Sequence, residues 1–193
     1  MRATAVCGIM TMVVVVGLPT RLWAETPIQA VQQTIDRVHT LLHDPGLHED
    51  HRKAQVLETI LARFDVQEMS TRILGPFWDR PRAQQDAFVA EFTAFLHRLL
   101  SGQFARIAAL HVTCRAETID GPTAHVLADL STAGHAFPVT FRLHHQGGGW
   151  TVYDVLMDQG RFSLVSSYRA QLQWLLRAAS FDHVLRLIRE KHP

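Results

Sequence analysis

The sequence predicts an α+β fold: a helical N-terminal half, a four-stranded curved antiparallel meander, and C-terminal helices. Three observations predict it. Apolar residues recur every three or four positions over residues 26–108, every second position over about 111–158, and at helical spacing again over about 162–191. The separators inside the middle zone are Asp120-Gly121-Pro122, Gly134 and Gly147-Gly148-Gly149. These are turns and not crossovers, so consecutive strands run antiparallel. Helices gathered on one face of such a sheet complete an α+β domain.

The chain begins with Arg2 and an apolar run from about Ala5 to Leu18, including Val13-Val14-Val15-Val16. Pro19 stops that run, and Leu22-Trp23-Ala24 precede the charged Glu25. A basic start, a short apolar stretch and a small residue are the pattern of a cleavable secretory signal peptide, with cleavage expected after Ala24. Spanning a bilayer takes roughly 20 apolar residues; this run is shorter and has Pro19 and Arg21 at its exit. Cys7 precedes the apolar run, which argues against a lipoprotein. Residues 1–24 are therefore read as signal peptide and residues 25–193 as one exported domain.

In the first zone, Pro27 marks a helix start, and Ile28, Val31, Ile35, Val38, Leu41 and Leu42 form one apolar stripe. Asp44-Pro45-Gly46 breaks it. A second helix carries Val56, Leu57, Ile60, Leu61 and Phe64. A short helix over Asp65–Ile73 ends at Gly75-Pro76. A long helix begins near Arg82 and presents Phe88, Phe92, Phe95, Leu96, Leu99 and Leu100, with a bend expected at Gly102. The strands are His111–Ile119, Thr123–Ala133, Ala136–His145 and Trp150–Met157. In the third, Phe137, Val139, Phe141 and Leu143 alternate with Pro138, Thr140, Arg142 and His144, which makes one face apolar. The last zone carries Leu164, Val165, Tyr168, Leu172, Leu175 and Leu176, then Phe181, Val184, Leu185 and Ile188.

Charge narrows the function classes. Without residues 1–24 the chain keeps 17 basic and 18 acidic side chains, a formal charge of −1 with neutral histidines. That balance offers no electrostatic footprint for nucleic acid. Cys114 is then the single cysteine, so no internal disulfide forms, and a small buried hydrophobe is the expected role. His43, His48 and His51 flank a turn beside Asp44, Glu49 and Asp50, but a metal site needs three or four such groups to converge, and a solvated helix connection is the simpler reading. His144 and His145 are neighbours on a strand and point to opposite faces. No GxSxG elbow, phosphate-cradling glycine loop or HExxH occurs. Tyr153-Asp154, with Arg169 as a possible partner, is the best acid/base pair, although an ion pair or helix cap is the more economical role. No catalytic residue, metal or cofactor is assigned. Apolar helix and sheet faces make either a filled core or a cavity for apolar ligands, and periodicity does not separate the two.

Three blocks in order carry a resemblance. The first is Phe64-Asp65, Met69, Leu74-Gly75, Trp78, Gln85, Phe88, Phe92 and Leu96. The second is Trp150, Tyr153-Asp154-Val155, Gly160, Ser163-Leu164-Val165, Tyr168-Arg169 and Gln171. The third is Ser180-Phe181-Asp182, Leu185 and the basic tail. Together they resemble the MlaC, or toluene-tolerance, family over nearly the whole chain after residue 24.

That resemblance implies a periplasmic phospholipid carrier in which a curved sheet, related to the nuclear-transport-factor-like cone, and its helices hold acyl chains. It implies exchange with an outer-membrane lipoprotein complex and an inner-membrane MCE-protein/ABC-transporter complex, acting as a monomer and not as an enzyme. Phe92, Leu96, Leu100, Val139, Phe141, Tyr153, Val155, Leu164 and Tyr168 are the expected lipid-binding residues, because they sit on apolar faces inside or beside the matching blocks. The chain departs from the family in two places. Leu100 stands where the family often has Tyr, and Asp158–Ser163 is about two residues longer than the family's acid-Gly-x-Ser link. A branch of the family is associated with hopanoid biosynthesis, so a polycyclic lipid is an alternative cargo. A groove for a partner helix and a cone-fold enzyme using Tyr153, Asp154 or a cavity histidine are the alternative functions. Each buried methylene is worth ~0.8 kcal/mol, so long acyl chains need such cover to cross water.

Overall fold

The computed structural model describes residues 25–190, and the expected signal peptide lies outside the described residues. A capping box opens α1 (Pro27–Leu42): Thr26 Oγ1 accepts from Gln29 N–H, and Gln29 Oε1 accepts from Thr26 N–H at 2.9 Å. After the Asp44–Gly46 turn, α2 (Glu49–Arg63) runs back along α1 as a helical hairpin. Asp65 caps α3 (Val66–Leu74) by accepting from Glu68 N–H at 2.8 Å. A 3₁₀ turn, Gly75–Trp78, leads to α4 (Arg82–Gly102), and the expected bend separates it from α5 (Phe104–Ala108).

The sheet follows as β1 (His111–Asp120), β2 (Thr123–Thr132), β3 (His135–Gln146), β4 (Gly149–Met157) and β5 (Phe162–Ser163), all antiparallel and in sequence order. The meander thus has five strands where four were expected. β5 spans two residues, too short to leave a period-two signal, and pairs through Leu156–Ser163 and Met157–Phe162. The long link before it is absorbed by three successive left-handed residues, Asp158 (φ 50°), Gln159 (φ 55°) and Gly160 (φ 86°). Helices α6 (Leu164–Ala178) and α7 (Phe181–Glu190) close the chain. Among the described residues no helix is long and apolar enough to cross a membrane.

The core is divided. In one part, Ala30 and Val31 of α1 press on Val126, Leu143, Trp150 and Val152 of the sheet. The other is helical, with α3, α4, α6 and α7 packing Met69, Phe88, Phe92, Val165 and Val184 together. Phe88 and Phe92 are almost completely enclosed, each worth roughly 2–3 kcal/mol of burial. Phe64 touches both clusters.

One expectation about the layers is corrected. Helices do not cover a single sheet face. The β3–β4 pairing jumps from Arg142–Asp154 to Leu143–Val152, which leaves Tyr153 as the extra residue of a bulge. The bulge delivers Tyr153 to the helical cluster, while Val152 faces α1.

Candidate functional site

The register of the sheet lines up apolar rows on the face that α1 covers. Ala124, Leu143 and Val152 form one row, and Val126, Phe141 and Val155 the next. A third runs Ala128, Val139, Met157 and Phe162. The first two rows lie in or beside the α1 cluster. The third begins at Val139, which is buried, and ends at Phe162, which is 43% exposed. Phe137, two positions along β3 from Val139 and so on the same face, is 42% exposed. The apolar face therefore runs without interruption from core to solvent. Val139, Phe141 and Val155 of the expected lipid-binding set lie on it.

The remaining expected residues go elsewhere. Phe92, Leu96 and Tyr153 are buried in the helical cluster, with Leu164 and Tyr168 packed against it. Leu100 is half-buried and belongs to neither cluster. Tyr168 meets Phe92 and Phe95 edge-on, with ring centroids 5.9 and 5.3 Å away. Burial pushes its phenol up from the ordinary tyrosine value. Phe92 and Tyr168 also line a cavity of about 60 Å³ between α4, α6 and α7, with Leu172, Leu175 and Ile188. A water's share of liquid is about 30 Å³, so this space is a packing defect in scale. The bulge puts Tyr153 with the helical cluster while Val155 stays on the face that α1 covers, although period-two alternation places the two on one face.

The polar groups around Tyr153 hold elements in place. His144 Nε2 lies 2.8 Å from Asp65 Oδ2, which ties β3 to the α3 cap. The Tyr153 ring packs edge-on to His144 and is faced by the guanidiniums of Arg72 and Arg142, at 4.2 and 5.4 Å. Asp154, 2% exposed, accepts from Val155 N–H, Val165 N–H and Ser163 Oγ. Its cation is Arg142 at 3.7 Å, not Arg169. The Arg169 guanidinium instead packs against Gly75. Neither Asp65, His144 nor Asp154 lines the cavity at Phe92 or the groove described next. Among the described residues no group of three or more His, Cys, Asp or Glu is placed to hold a metal ion. Cys114 is half-buried, and burial pushes its thiol up, with Asp36 adding to the shift.

A groove of about 650 Å³ between α1 and α2 has no counterpart in the sequence reading. Thr34, Arg37, Glu58 and Arg63 line it, together with Leu41 and Ala62. The spacing Thr34, Arg37, Leu41 does place these side chains on one face of α1. A solvated helix face has the same pattern, so the sequence carried no distinguishing signal.

Comparisons with known proteins agree with this architecture. The family model described as MlaC protein matches residues 29–190. No curated protein matches the chain. Among solved structures, the fold is similar to the phospholipid-binding protein from Ralstonia solanacearum, determined in complex with a phospholipid. The two are 21% identical with a TM-score of 0.70, over 83% of this chain and 93% of that one.

Proposed function

The chain belongs to the MlaC family, and on that premise we propose that it is a periplasmic phospholipid carrier. The observation that carries the reading is the apolar face running from buried Val139 to the exposed Phe137 and Phe162. Such a face lets an acyl chain slide from a membrane or a partner into the interior without crossing water. Transfer from one hydrocarbon environment to another leaves a small net free-energy difference, so a carrier of this kind works in both directions and breaks no bond. The structural neighbour was determined with a phospholipid bound, which supports the same ligand class here.

Val139, Phe141 and Val155 are the first contacts for an acyl chain, being on the continuous face. Phe92, Leu96, Leu100, Tyr153, Leu164 and Tyr168 come into contact only if the helical layer parts from the sheet. The cavity of about 60 Å³ at Phe92 and Tyr168 is some fivefold below the ~300 Å³ at which ligand pockets begin. Loading therefore opens the interior, with Phe64 between the two clusters as the place where it gives. The chain is exported by residues 1–24 and acts as a monomer, not as an enzyme. It exchanges lipid with an outer-membrane lipoprotein complex and an inner-membrane MCE-protein/ABC-transporter complex.

Fluorescent phospholipid moving between donor and acceptor vesicles tests the reading. The chain should accelerate transfer, and Phe137→Glu with Phe162→Glu, both at exposed positions, should slow it while leaving the fold intact. Transfer no faster than in buffer would defeat the proposal.

A further inference from the structure

The groove between α1 and α2 holds charges of both signs that do not pair with each other. Arg63 is fixed: its Nε donates to Thr34 Oγ1 and its Nη1 to the Trp150 carbonyl, each at 2.8 Å. Its Nη2 has no partner among the described residues. Arg37 and Glu58 line the same groove, and neither makes a hydrogen bond or ion pair among the described residues. The buried Leu41 gives the groove an apolar floor.

The Arg63–Thr34 bond fixes how the antiparallel helices lie, and so orders the charges. Arg37 is three residues from Thr34, about 4.5 Å along the axis. Glu58 is five residues from Arg63, about 7.5 Å in the same direction. Along the groove the order is thus Arg63, Arg37, Glu58, with the guanidiniums about 4.5 Å apart along the axis and the carboxylate about 3 Å beyond Arg37. Guanidiniums bind phosphate oxygens and carboxylates bind ammonium groups. We propose that this groove is a second site, for a zwitterion carrying a phosphodiester at the Arg63–Arg37 end and an ammonium group at Glu58.

The ligand is either a free diester or the headgroup of a lipid, and only the second source rests on the carrier reading. Glycerophosphoethanolamine titrated into the isotopically labelled chain lacking residues 1–24, and followed by NMR, is the direct probe, with glycerophosphoglycerol as the ester without an ammonium group. Saturable shifts are expected at Thr34, Arg37, Glu58 and Arg63. The ethanolamine ester should bind about threefold more tightly than the glycerol ester, as suits solvent-exposed charges. Arg37→Gln should weaken both esters, and Glu58→Gln the ethanolamine ester alone. No saturable shift, or a Glu58→Gln variant that weakens both esters equally, overturns the proposal.

Mass spectrometry of lipid carried by wild type and Glu58→Gln separates the sources. A phosphatidylethanolamine-to-phosphatidylglycerol ratio that falls about threefold in the variant assigns the site to a headgroup. An unchanged ratio with an intact titration assigns it to the free diester. Lipid present without any titration refutes this site and leaves the carrier standing, and titration without lipid does the reverse.

Discussion

Val165 donates its backbone N–H to Asp154 Oδ1 at 3.0 Å, so a strand carboxylate closes the N-terminus of α6. The same carboxyl group takes Ser163 Oγ at 2.8 Å, and Ser163 in turn accepts from Ser166 N–H. Asp154, half of the best acid/base candidate pair in the sequence, is thereby a joint between β4 and α6. The helix dipole favours the carboxylate at that end.

Removing this joint should be costly. Asp154→Ala leaves buried donors without an acceptor, and a loss of about 3 kcal/mol is expected. Asp154→Asn keeps an acceptor oxygen and should lose about half as much. Urea unfolding of both variants checks the ordering; equal losses would mean that the Arg142 charge, and not the cap, dominates.

Gly75 has φ 53° and ψ −119°, the conformation of the first central residue of a type II′ turn, which glycine alone adopts freely. A Cβ there would stand 3.0 Å from Gln173 Nε2 and 3.1 Å from Arg169 Nη2. Those side-chain ends can move, so backbone strain decides the effect. Gly75→Ala should cost about 1–3 kcal/mol by loosening the contact of α3 with α6, read as a lowered unfolding midpoint.

Ser70 is fully buried and its hydroxyl has no partner among the described residues. An unmade hydrogen bond costs about 1–3 kcal/mol. Ser70→Ala should therefore be neutral or stabilising, the opposite sign from most core truncations, and thermal unfolding will show it.

Burial raises the Cys114 thiol above the ordinary value of 9.0. Below that value both folded and unfolded chains keep the proton, and the native state loses nothing. As pH rises through it, the unfolded thiol ionises first, so stability falls. Iodoacetamide alkylation of the native chain should accordingly show a midpoint above that of the urea-unfolded chain; coincident midpoints would refute the shift.

Much of the fold was legible because its signals are local. Pro27 and the Ile28, Val31, Ile35 stripe mark α1, and the alternation from Phe137 to Leu143 marks β3. What escaped depends on register and on contacts distant in sequence. The bulge moved Tyr153 into the helical core, away from Val155, with which strand alternation groups it. β5 was too short to show a period. Arg142, aligned with Asp154 across β3 and β4, took the place expected of Arg169, which packs on Gly75. The α1–α2 groove escaped because Arg37 and Glu58 have the spacing of any solvated helix face.

Native mass spectrometry of the exported chain, purified without detergent, asks whether the interior accepts phospholipid. A carrier should give a population heavier by the mass of one phospholipid, returning to the bare chain mass on collisional activation. A single bare species, still bare after incubation with phospholipid vesicles, would contradict it.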